Sequence, residues 1–306
     1  MDKTYRDNFL KAGEIAGQVR TYGLSLIKTG ASYNDVIKKI IAKIHELGGE
    51  PAFPPQMAMN ECAAHFLPDP QEDVIFTDQL VSLDVGIHVD GAIGDCAGTI
   101  DLTEDKRHQH LIDASRECLL AALQTVKVGV TTGQIGAAIN EAAQKRGLQS
   151  IRNLSGHGLG EYVVHTKPSI PNFDTQSQTT IEPGMTIAIE PFVTEGEGLI
   201  YDAGNPMIYS FDQKRPVRSQ ITKDVVKEIM KKNGLPFSMH ELISTKNTYG
   251  KVKYALNELV RIGAIQGYAP LVEKAKGMVA QSENTVLIDD DGTVIITTEP
   301  DCLLKK

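Results

Sequence analysis

The segment at residues 82–100, SLDVGIHVDGAIGDCAGTI, predicts the central structural element of this protein. It lies within two β-like runs of apolar residues, 79–88 and 92–101, which are joined at Asp90-Gly91. An Asp-Gly pair between two such runs is a strong signal for a two-residue hairpin turn. The sequence therefore predicts a long antiparallel β-hairpin.

This turn sets the relative positions of two aspartates. It places Gly86 opposite Asp95, and Asp84 shares a face with Gly86 because strand side chains repeat every two residues. Asp84 and Asp95 are then diagonal neighbours, and a turn at residues 89–90 would put them directly opposite on the same face. Two buried like charges are costly unless something positive lies between them, so a bound metal is the simplest explanation. The alternative is that one or both carboxylates cap turns or face solvent.

The chain around the hairpin alternates helical and β-like patterns. Ser32 has the chemistry of a helix N-cap, with Asp35 three positions on, and Thr132 is the N-cap candidate of a later helix. Helices are predicted over residues 4–29, 32–47, 107–127 and 133–146. Further strands are predicted over residues 185–190, 283–289 and 293–298.

A basic segment at residues 213–262 differs from the rest of the chain. It holds eleven Lys or Arg and four Asp or Glu, whereas the whole chain has a net charge of −8. Its pattern is a helix, a turn, a short helix and a third helix, followed by a strand and loop over residues 264–271. The helices are predicted over residues 220–232, 238–244 and 249–262. Three helices with a β appendage indicate a winged-helix-like insert.

Composition excludes several classes of protein. Of the 306 residues, 41% are hydrophobic and 23% charged, which is typical of a globular protein and not of a disordered one. The acidic balance argues against a surface that binds nucleic acid throughout. Four cysteines without a Cys-x-x-Cys pair make a thiolate zinc cluster or a disulfide framework improbable. No apolar run reaches 18 residues and no signal peptide is visible at the start, so elimination predicts a cytoplasmic protein without a membrane span.

Two histidines and two glutamates extend the set of candidate ligands. His157 lies between glycines in SGHGLG, which permits close approach of the backbone, and His165 follows it. Glu190 ends one predicted strand and Glu283 begins another. Each of these residues alone is more often packed or solvated, and His65 is equally weak by itself. Together with the aspartates they form an oxygen-rich set with an imidazole, which suits Mn, Fe, Co or Zn and allows two metals that share carboxylates.

These residues resemble the ligand set of the pita-bread metallopeptidases, and the closest resemblance is to the short archaeal form of the type 2 methionine aminopeptidases. The resemblance covers nearly the whole chain, and the insert between Glu190 and Glu283 distinguishes type 2 from type 1. The strings that carry it are AFPPQMAMNECAAHF (52–66), SLDVGIHVDGAIGDCAGTI (82–100), NLSGHGLGEYVVH (153–165), GMTIAIEPF (184–192) and AQSENTVLI (280–288).

The resemblance implies an α+β pita-bread fold, a mostly antiparallel curved sheet flanked by helices. It implies a catalytic domain made of residues 1–195 and 272–306, with the winged-helix-like insert at residues 196–271. The activity it implies is removal of the N-terminal initiator methionine from nascent proteins and peptides whose second residue is small.

The resemblance also implies a role for each ligand. Two divalent ions (Co, Mn, Fe, Zn or Ni) would be bound, with Asp84 on one and His157 and Glu190 on the other. Asp95 and Glu283 would bridge the pair. A hydroxide between the ions would attack the carbonyl of the first peptide bond, and Glu190 would pass the proton to the leaving amine.

Two further histidines would act on the substrate without binding metal. By the resemblance, His65 and His165 contact the scissile amide and stabilise its oxyanion. The methionine pocket must be apolar and narrow. Its residues would be Phe53, His65, Val164, His165, Tyr268 and Leu271. For Phe53 and Leu271 an ordinary place in the core is the alternative.

Two other functions remain open at this point. A prolidase or aminopeptidase P would share the site but typically carries a whole extra domain before the first ligand, and only 83 residues precede Asp84. A pita-bread protein that only binds a partner should show broken ligand positions, and all five are intact. As partners we expect the N-terminal methionine of nascent chains and transient contact with the ribosome, with no membrane and no nucleic-acid binding, for a monomeric protein.

Overall fold

The computed structural model describes residues 1–297, which form seven helices and eighteen strands. The helices are α1 (Lys3–Leu26), α2 (Tyr33–Glu46), α3 (Gln109–Thr125), α4 (Thr132–Lys145), α5 (Gln220–Met230), α6 (Met239–Leu242) and α7 (Tyr249–Arg261). The strands are β1 (Glu50–Pro51), β2 (Gln56–Met59), β3 (Cys62–Ala64), β4 (Leu80–Val89), β5 (Ala92–Asp101), β6 (Gln149–Ser150), β7 (Ser155–Gly160), β8 (Val163–Pro171), β9 (Thr186–Ile189), β10 (Phe192–Thr194), β11 (Ile200–Asp202), β12 (Ile208–Phe211), β13 (Phe237–Ser238), β14 (Ile265–Tyr268), β15 (Leu271–Glu273), β16 (Val279–Gln281), β17 (Asn284–Ile288) and β18 (Val294–Ile296). Cys302 and the end of the predicted strand 293–298 lie outside the described residues.

Helix starts follow local capping chemistry. The Ser32 side chain accepts a hydrogen bond from the backbone N–H of Asp35 at 3.1 Å, so the predicted N-cap of α2 is confirmed. The predicted N-cap Thr132 of α4 is wrong by one residue. Thr131 caps this helix, because its extended backbone lets its hydroxyl accept from the N–H of Gln134, whose side chain in turn accepts from the N–H of Thr131.

The hairpin of β4 and β5 is the longest paired element of the structure. Its turn is at Asp90-Gly91, and Val89 pairs with Ala92 as the sequence predicts. The two faces of the hairpin lie in different environments. Val81, Leu83, Val85, Ile87 and Val89 pack with α1 and α2 in one apolar core. The opposite face of β4 carries Asp84.

Close packing of α1 on β5 depends on a glycine. A Cβ atom on Gly94 would lie 2.4–2.5 Å from backbone atoms of Ala12 and Gly13, so helix and strand meet with no side chain between them. This contact holds the hairpin against the N-terminal helix.

The second large sheet has five strands in the order β18-β17-β9-β7-β8. Ile187 and Ile189 on one face of β9 pack in a core with α3 and α4. The intervening Ala188 belongs to a different cluster, on the other face, together with Phe53 and Val164. Helices therefore cover the outer face of each of the two sheets, and the inner faces meet between them.

Residues of the predicted insert form a core of their own. Helices α5, α6 and α7 pack with the sheet β13-β12-β14 around buried apolar side chains that include Phe237, Val252 and Leu256. The three predicted helices and the strand that follows them are confirmed, with ends that differ by one or two residues.

A short sheet, β11-β15-β3, joins this segment to the rest of the chain. Glu273 at the end of β15 is completely buried. Its carboxylate accepts hydrogen bonds from the backbone N–H groups of Glu197 (2.6 Å), Gly198 (3.0 Å), Ala275 (2.7 Å) and Gly277 (3.1 Å). One buried carboxylate thus holds the loops on both sides of this junction.

None of the helices described within residues 1–297 is long and apolar enough to cross a membrane.

Candidate metal centre and apolar pocket

The hairpin brings the two aspartates onto one face. In the β4–β5 register Gly86 lies opposite Asp95 and Asp84 lies opposite Ala97, so the two carboxylates are diagonal neighbours, as the turn predicts. Asp95 is 2% exposed.

The remaining candidate ligands come from the five-stranded sheet. His157 on β7 pairs with Ala188 on β9, and Glu190 follows the last residue of β9. Glu283 precedes β17, whose first residue pairs with Ile189. The Glu283 N–H donates to the carbonyl of Ala97 at 3.2 Å, which joins this sheet to the hairpin. Strand ends far apart in sequence therefore meet at one point.

At this point the side chains are close enough to share an ion. Asp95, His157 and Glu283 each offer one ligand atom, and these atoms lie within 4.8 Å of one another. The Nε2 atom of His157 is 4.0 Å from Oδ2 of Asp95 and 3.5 Å from Oε1 of Glu190.

The His157 ring is held with one nitrogen free. Its Nδ1 lies 3.1 Å from the carbonyl oxygen of Gly158, which can only accept, so Nδ1 carries the proton and Nε2 presents its lone pair to the carboxylates. The flanking glycines are required here. A Cβ atom on Gly156 would lie 2.3 Å from the carbonyl of Ala188, and one on Gly158 would lie 2.2 Å from that of Lys167.

Burial makes the carboxylates reluctant to ionise. It raises the pKa of Asp84 to about 7, although a hydrogen bond from Gln56 opposes the shift. Burial also raises the pKa of Asp95, Glu190 and Glu283 well above the usual range, and the neighbouring carboxylates raise it further.

Among residues 1–297, no lysine or arginine contributes to the pKa of these four carboxylates. Oδ1 of Asp84 and Oδ1 of Asp95 are buried without a hydrogen-bond partner among the described residues. Four clustered carboxylates with one free imidazole nitrogen fit divalent cations, whose charge would offset the repulsion.

Three imidazoles line one side of the site. The rings of His157 and His165 are 4.3 Å apart, edge to face. Burial, with a smaller contribution from His165, lowers the pKa of His65 to about 4 and that of His157 to about 3. Burial also lowers the pKa of His165, although this residue is the most accessible of the three and is exposed to solvent. All three rings are therefore neutral at pH 7.

His65 is held in an unusual conformation. Its φ of 61° lies in the left-handed region, which side chains other than glycine rarely adopt. Its ring packs edge to face on Tyr268, with centroids 5.6 Å apart, and its Nδ1 is buried without a hydrogen-bond partner in the described part of the chain. Such backbone strain is typical of functional sites, where the surroundings impose it.

An apolar cavity of about 270 Å³ opens beside the carboxylates. All the residues predicted for the substrate pocket line it: Phe53, His65, Val164, His165, Tyr268 and Leu271. The five candidate ligands also line it. The Phe53 ring rests on Gly86, where a Cβ atom would lie 2.1 Å from the ring. The missing side chain of Gly86 therefore creates the slot that the Phe53 ring fills.

The sequence pattern of metallopeptidase family M24 matches residues 7–290. The chain belongs to this family. A methionine aminopeptidase of Archaeoglobus fulgidus is 36% identical to it over 299 residues, which cover 97% of this chain and 100% of the relative. One of Methanocaldococcus jannaschii is 36% identical and covers 95% of this chain. The predicted resemblance is confirmed.

Solved structures of M24-like proteins share the fold. A methionine aminopeptidase from Thermotoga maritima superposes with a TM-score of 0.70 at 24% identity, covering 98% of both chains. The structure of a thermophilic Arx1 superposes with a TM-score of 0.83 at 15% identity, covering 98% of this chain and 92% of that one. The α+β pita-bread fold predicted for this M24 chain is confirmed.

Several residues that line the cavity were not predicted from the sequence. They are Gln56, Ala64, Leu154, Ser155, Phe192, Ile208 and Pro236. Gln56 is the informative one, because it contacts a candidate ligand of this M24 centre. Its place depends on the pairing of β2 with β4, where Gln56 lies opposite Asp84. No local pattern signals that pairing.

Proposed function

We propose that this protein is a metal-dependent methionyl aminopeptidase that removes the N-terminal methionine from proteins and peptides. The observation that carries the proposal is the juxtaposition of two buried and two half-buried carboxylates and a free imidazole nitrogen with an apolar cavity. Relatives named methionine aminopeptidase that match almost the whole chain favour this function over that of a prolidase or an inactive binding protein.

We assign two divalent ions to the centre, with cobalt, manganese, iron, zinc and nickel as candidates. Asp84 would hold one ion, and His157 and Glu190 the other. Asp95 and Glu283 would contact both. The two unpartnered aspartate oxygens and the free Nε2 of His157 support this assignment. When bound, the ions supply a water of lowered pKa and polarise the substrate carbonyl.

Proton transfer is assigned to Glu190. Its half-buried carboxylate lines the cavity beside the other candidate ligands, and a carboxylate at a metal can also act as a base, so it can take a proton from the attacking water and hold it. It then delivers that proton to the nitrogen of the leaving amine as the carbon–nitrogen bond breaks. The products are free methionine and a peptide shortened by one residue.

His65 and His165 are proposed to bind the reacting amide. Both rings are neutral at pH 7, so each carries one N–H that can donate to the carbonyl oxygen or to the oxyanion formed from it. The tight fit of the His65 ring against Tyr268 limits its rotation, which favours a donor that is already oriented.

The methionine side chain is assigned to the apolar part of the cavity. Phe53, Val164 and Leu271 are each at most 8% exposed and supply its apolar wall. Tyr268 would close the far side, with its hydroxyl 2.9 Å from that of Ser210 and its ring on His65. A substrate with a small second residue would fit beside the carboxylates.

Peptide hydrolysis tests the function directly. The purified protein, reconstituted with Mn²⁺ or Co²⁺, should cleave Met-Ala-Ser much faster than Met-Lys-Ser and should leave Ala-Pro peptides intact. Equal turnover of all three peptides, or preference for Ala-Pro, would contradict the assignment. Binding of less than one divalent ion per chain, without peptidase activity, would favour a binding protein instead.

We further propose that residues 196–271 act as a winged-helix-like sub-domain inserted between the two parts of the catalytic domain, 1–195 and 272–306. Its separate apolar core supports this division. The segment 213–262 has eleven basic and four acidic residues, and this positive charge supports transient contact with the ribosome. Pelleting with ribosomes should weaken as salt rises, and association that does not depend on salt would contradict a charge-based contact.

A further inference from the structure

Gln56 donates the only hydrogen bond that the described residues make to the Asp84 side chain. Its Nε2 lies 3.1 Å from Oδ2 of Asp84, across the β2–β4 pair in which the two residues face each other. The other oxygen of Asp84, Oδ1, is buried without a partner. The amide therefore fixes one side of the carboxylate and leaves the other side free.

The other end of the Gln56 side chain has no partner. Gln56 lines the cavity and is 6% exposed, and its Oε1 is buried and makes no hydrogen bond among the described residues. A buried amide with an unsatisfied carbonyl costs free energy relative to an apolar side chain of the same size. Packing alone would therefore favour methionine or leucine at this position.

We propose that Gln56 is a positioning residue that orients Asp84 for metal binding. This proposal rests on the function proposed above, in which Asp84 holds one of two divalent ions. The Gln56 N–H occupies a lone pair of Oδ2 and prevents the carboxylate from rotating, so that Oδ1 stays directed into the site. A residue that hydrogen-bonds to a metal-ligating carboxylate in this way typically contributes about 10- to 100-fold in metal affinity.

The proposal predicts a loss of metal affinity without a matching loss of stability. Gln56→Met keeps the size of the side chain and removes both its donor and its acceptor. The variant should bind Mn²⁺ about 10- to 100-fold more weakly at one of its two sites and unchanged at the other. The melting temperature of the metal-free protein should change little, because the lost hydrogen bond to Asp84 is offset by removal of an unsatisfied buried carbonyl. A purely structural glutamine would instead lower that temperature and leave metal affinity unchanged.

Calorimetric titration of the metal-free protein with Mn²⁺ measures the metal affinity, and thermal unfolding measures the melting temperature. Gln281→Met is the matched control. Gln281 is 1% exposed and its Nε2 is also buried, but that nitrogen has no hydrogen-bond partner among the described residues. The control should bind Mn²⁺ as wild type does.

Each outcome decides the question. Equal Mn²⁺ affinity of Gln56→Met and wild type would overturn the proposal, and so would equal losses in Gln56→Met and Gln281→Met. If Gln56→Met fails to fold, Gln56→Asn replaces it, since the shorter side chain keeps the amide but cannot span the same distance. Wild-type affinity in Gln56→Asn would also overturn the proposal. If wild-type protein binds no Mn²⁺, the proposed function itself fails, which is a distinct result.

Discussion

Gly86→Ala should damage substrate binding through the Phe53 ring. The new Cβ atom would lie 2.1–2.7 Å from three atoms of that ring. The ring must retreat by about 1.3 Å to reach the 3.4 Å of ordinary van der Waals contact, and it lines the cavity proposed to hold the methionine side chain. Overpacking of this kind costs about 1–3 kcal/mol, which corresponds to roughly 5- to 150-fold in kcat/KM if the cost falls on the substrate complex.

The assay compares kcat/KM for Met-Ala-Ser hydrolysis between wild type and Gly86→Ala. The loss should fall mainly on KM, with the bound metal retained. Gly250→Ala on α7 is the matched control, because its added Cβ atom would meet no atom within 4 Å. Its kcat/KM should equal that of wild type.

A second substitution tests the cause. Phe53→Leu replaces the ring that the new methyl group contacts with a smaller side chain. The double variant of Gly86→Ala and Phe53→Leu should therefore lose less kcat/KM than the two single losses combined. If Gly86→Ala keeps kcat/KM within about twofold of wild type, the ring does not compete with the substrate and the reasoning is wrong. Strict additivity of the two substitutions would refute it as well.

Four further predictions concern the metal, the reaction, pH and the fold. Asp95→Asn should lose bound metal and activity together, as measured by elemental analysis and peptide hydrolysis; retention of both ions would contradict the shared position of Asp95. His165→Ala should keep its metal and lose about 10²- to 10³-fold in kcat as an oxyanion donor is removed, whereas loss of metal would make it a ligand. Because burial raises the pKa of Asp84 to about 7, the metal-free protein holds protons on its carboxylates at pH 6. Binding of Mn²⁺ should therefore release protons, and the affinity for Mn²⁺ should fall as the pH falls below about 7. Calorimetry in buffers of different ionisation enthalpy measures the proton release, and no release at pH 6 would refute this prediction. Gly94→Ala should lower the free energy of unfolding by about 1–3 kcal/mol or more, since the backbone of Ala12 cannot move aside as a side chain can. Denaturant unfolding measures this, and an unchanged midpoint would contradict the close contact of α1 with β5.

Local signals explain which parts of the fold were predictable. The Asp90-Gly91 turn determines the register of the hairpin, and with it the relative positions of Asp84 and Asp95. The helix starting after Ser32 was equally readable from capping chemistry. At the start of α4, two adjacent threonines each have a hydroxyl that could cap the helix. Only the extended backbone of Thr131 makes that residue the N-cap.

Non-local pairing explains what could not be predicted from the residues alone. Glu190 and Glu283 stand at strand ends that meet through β9 and β17, and only family resemblance placed them together beforehand. Gln56 depends on the β2–β4 register, which is set by packing rather than by a turn. Likewise, the slot for Phe53 arises from a glycine on a neighbouring strand.

The junction at β11 and β15 has a consequence for how such a chain could acquire the insert proposed here. Asp202 pairs with Leu271, so the chain leaves the sheet and returns to it on adjacent strands. In topological terms everything between them is one enlarged hairpin loop, and lengthening a loop adds closure entropy only slowly. The size of this segment could therefore vary at small cost, as long as Tyr268 kept its place in the cavity wall. The two strands could not vary in this way, because Leu271 is also part of the cavity wall and Glu273 holds the loops beside it.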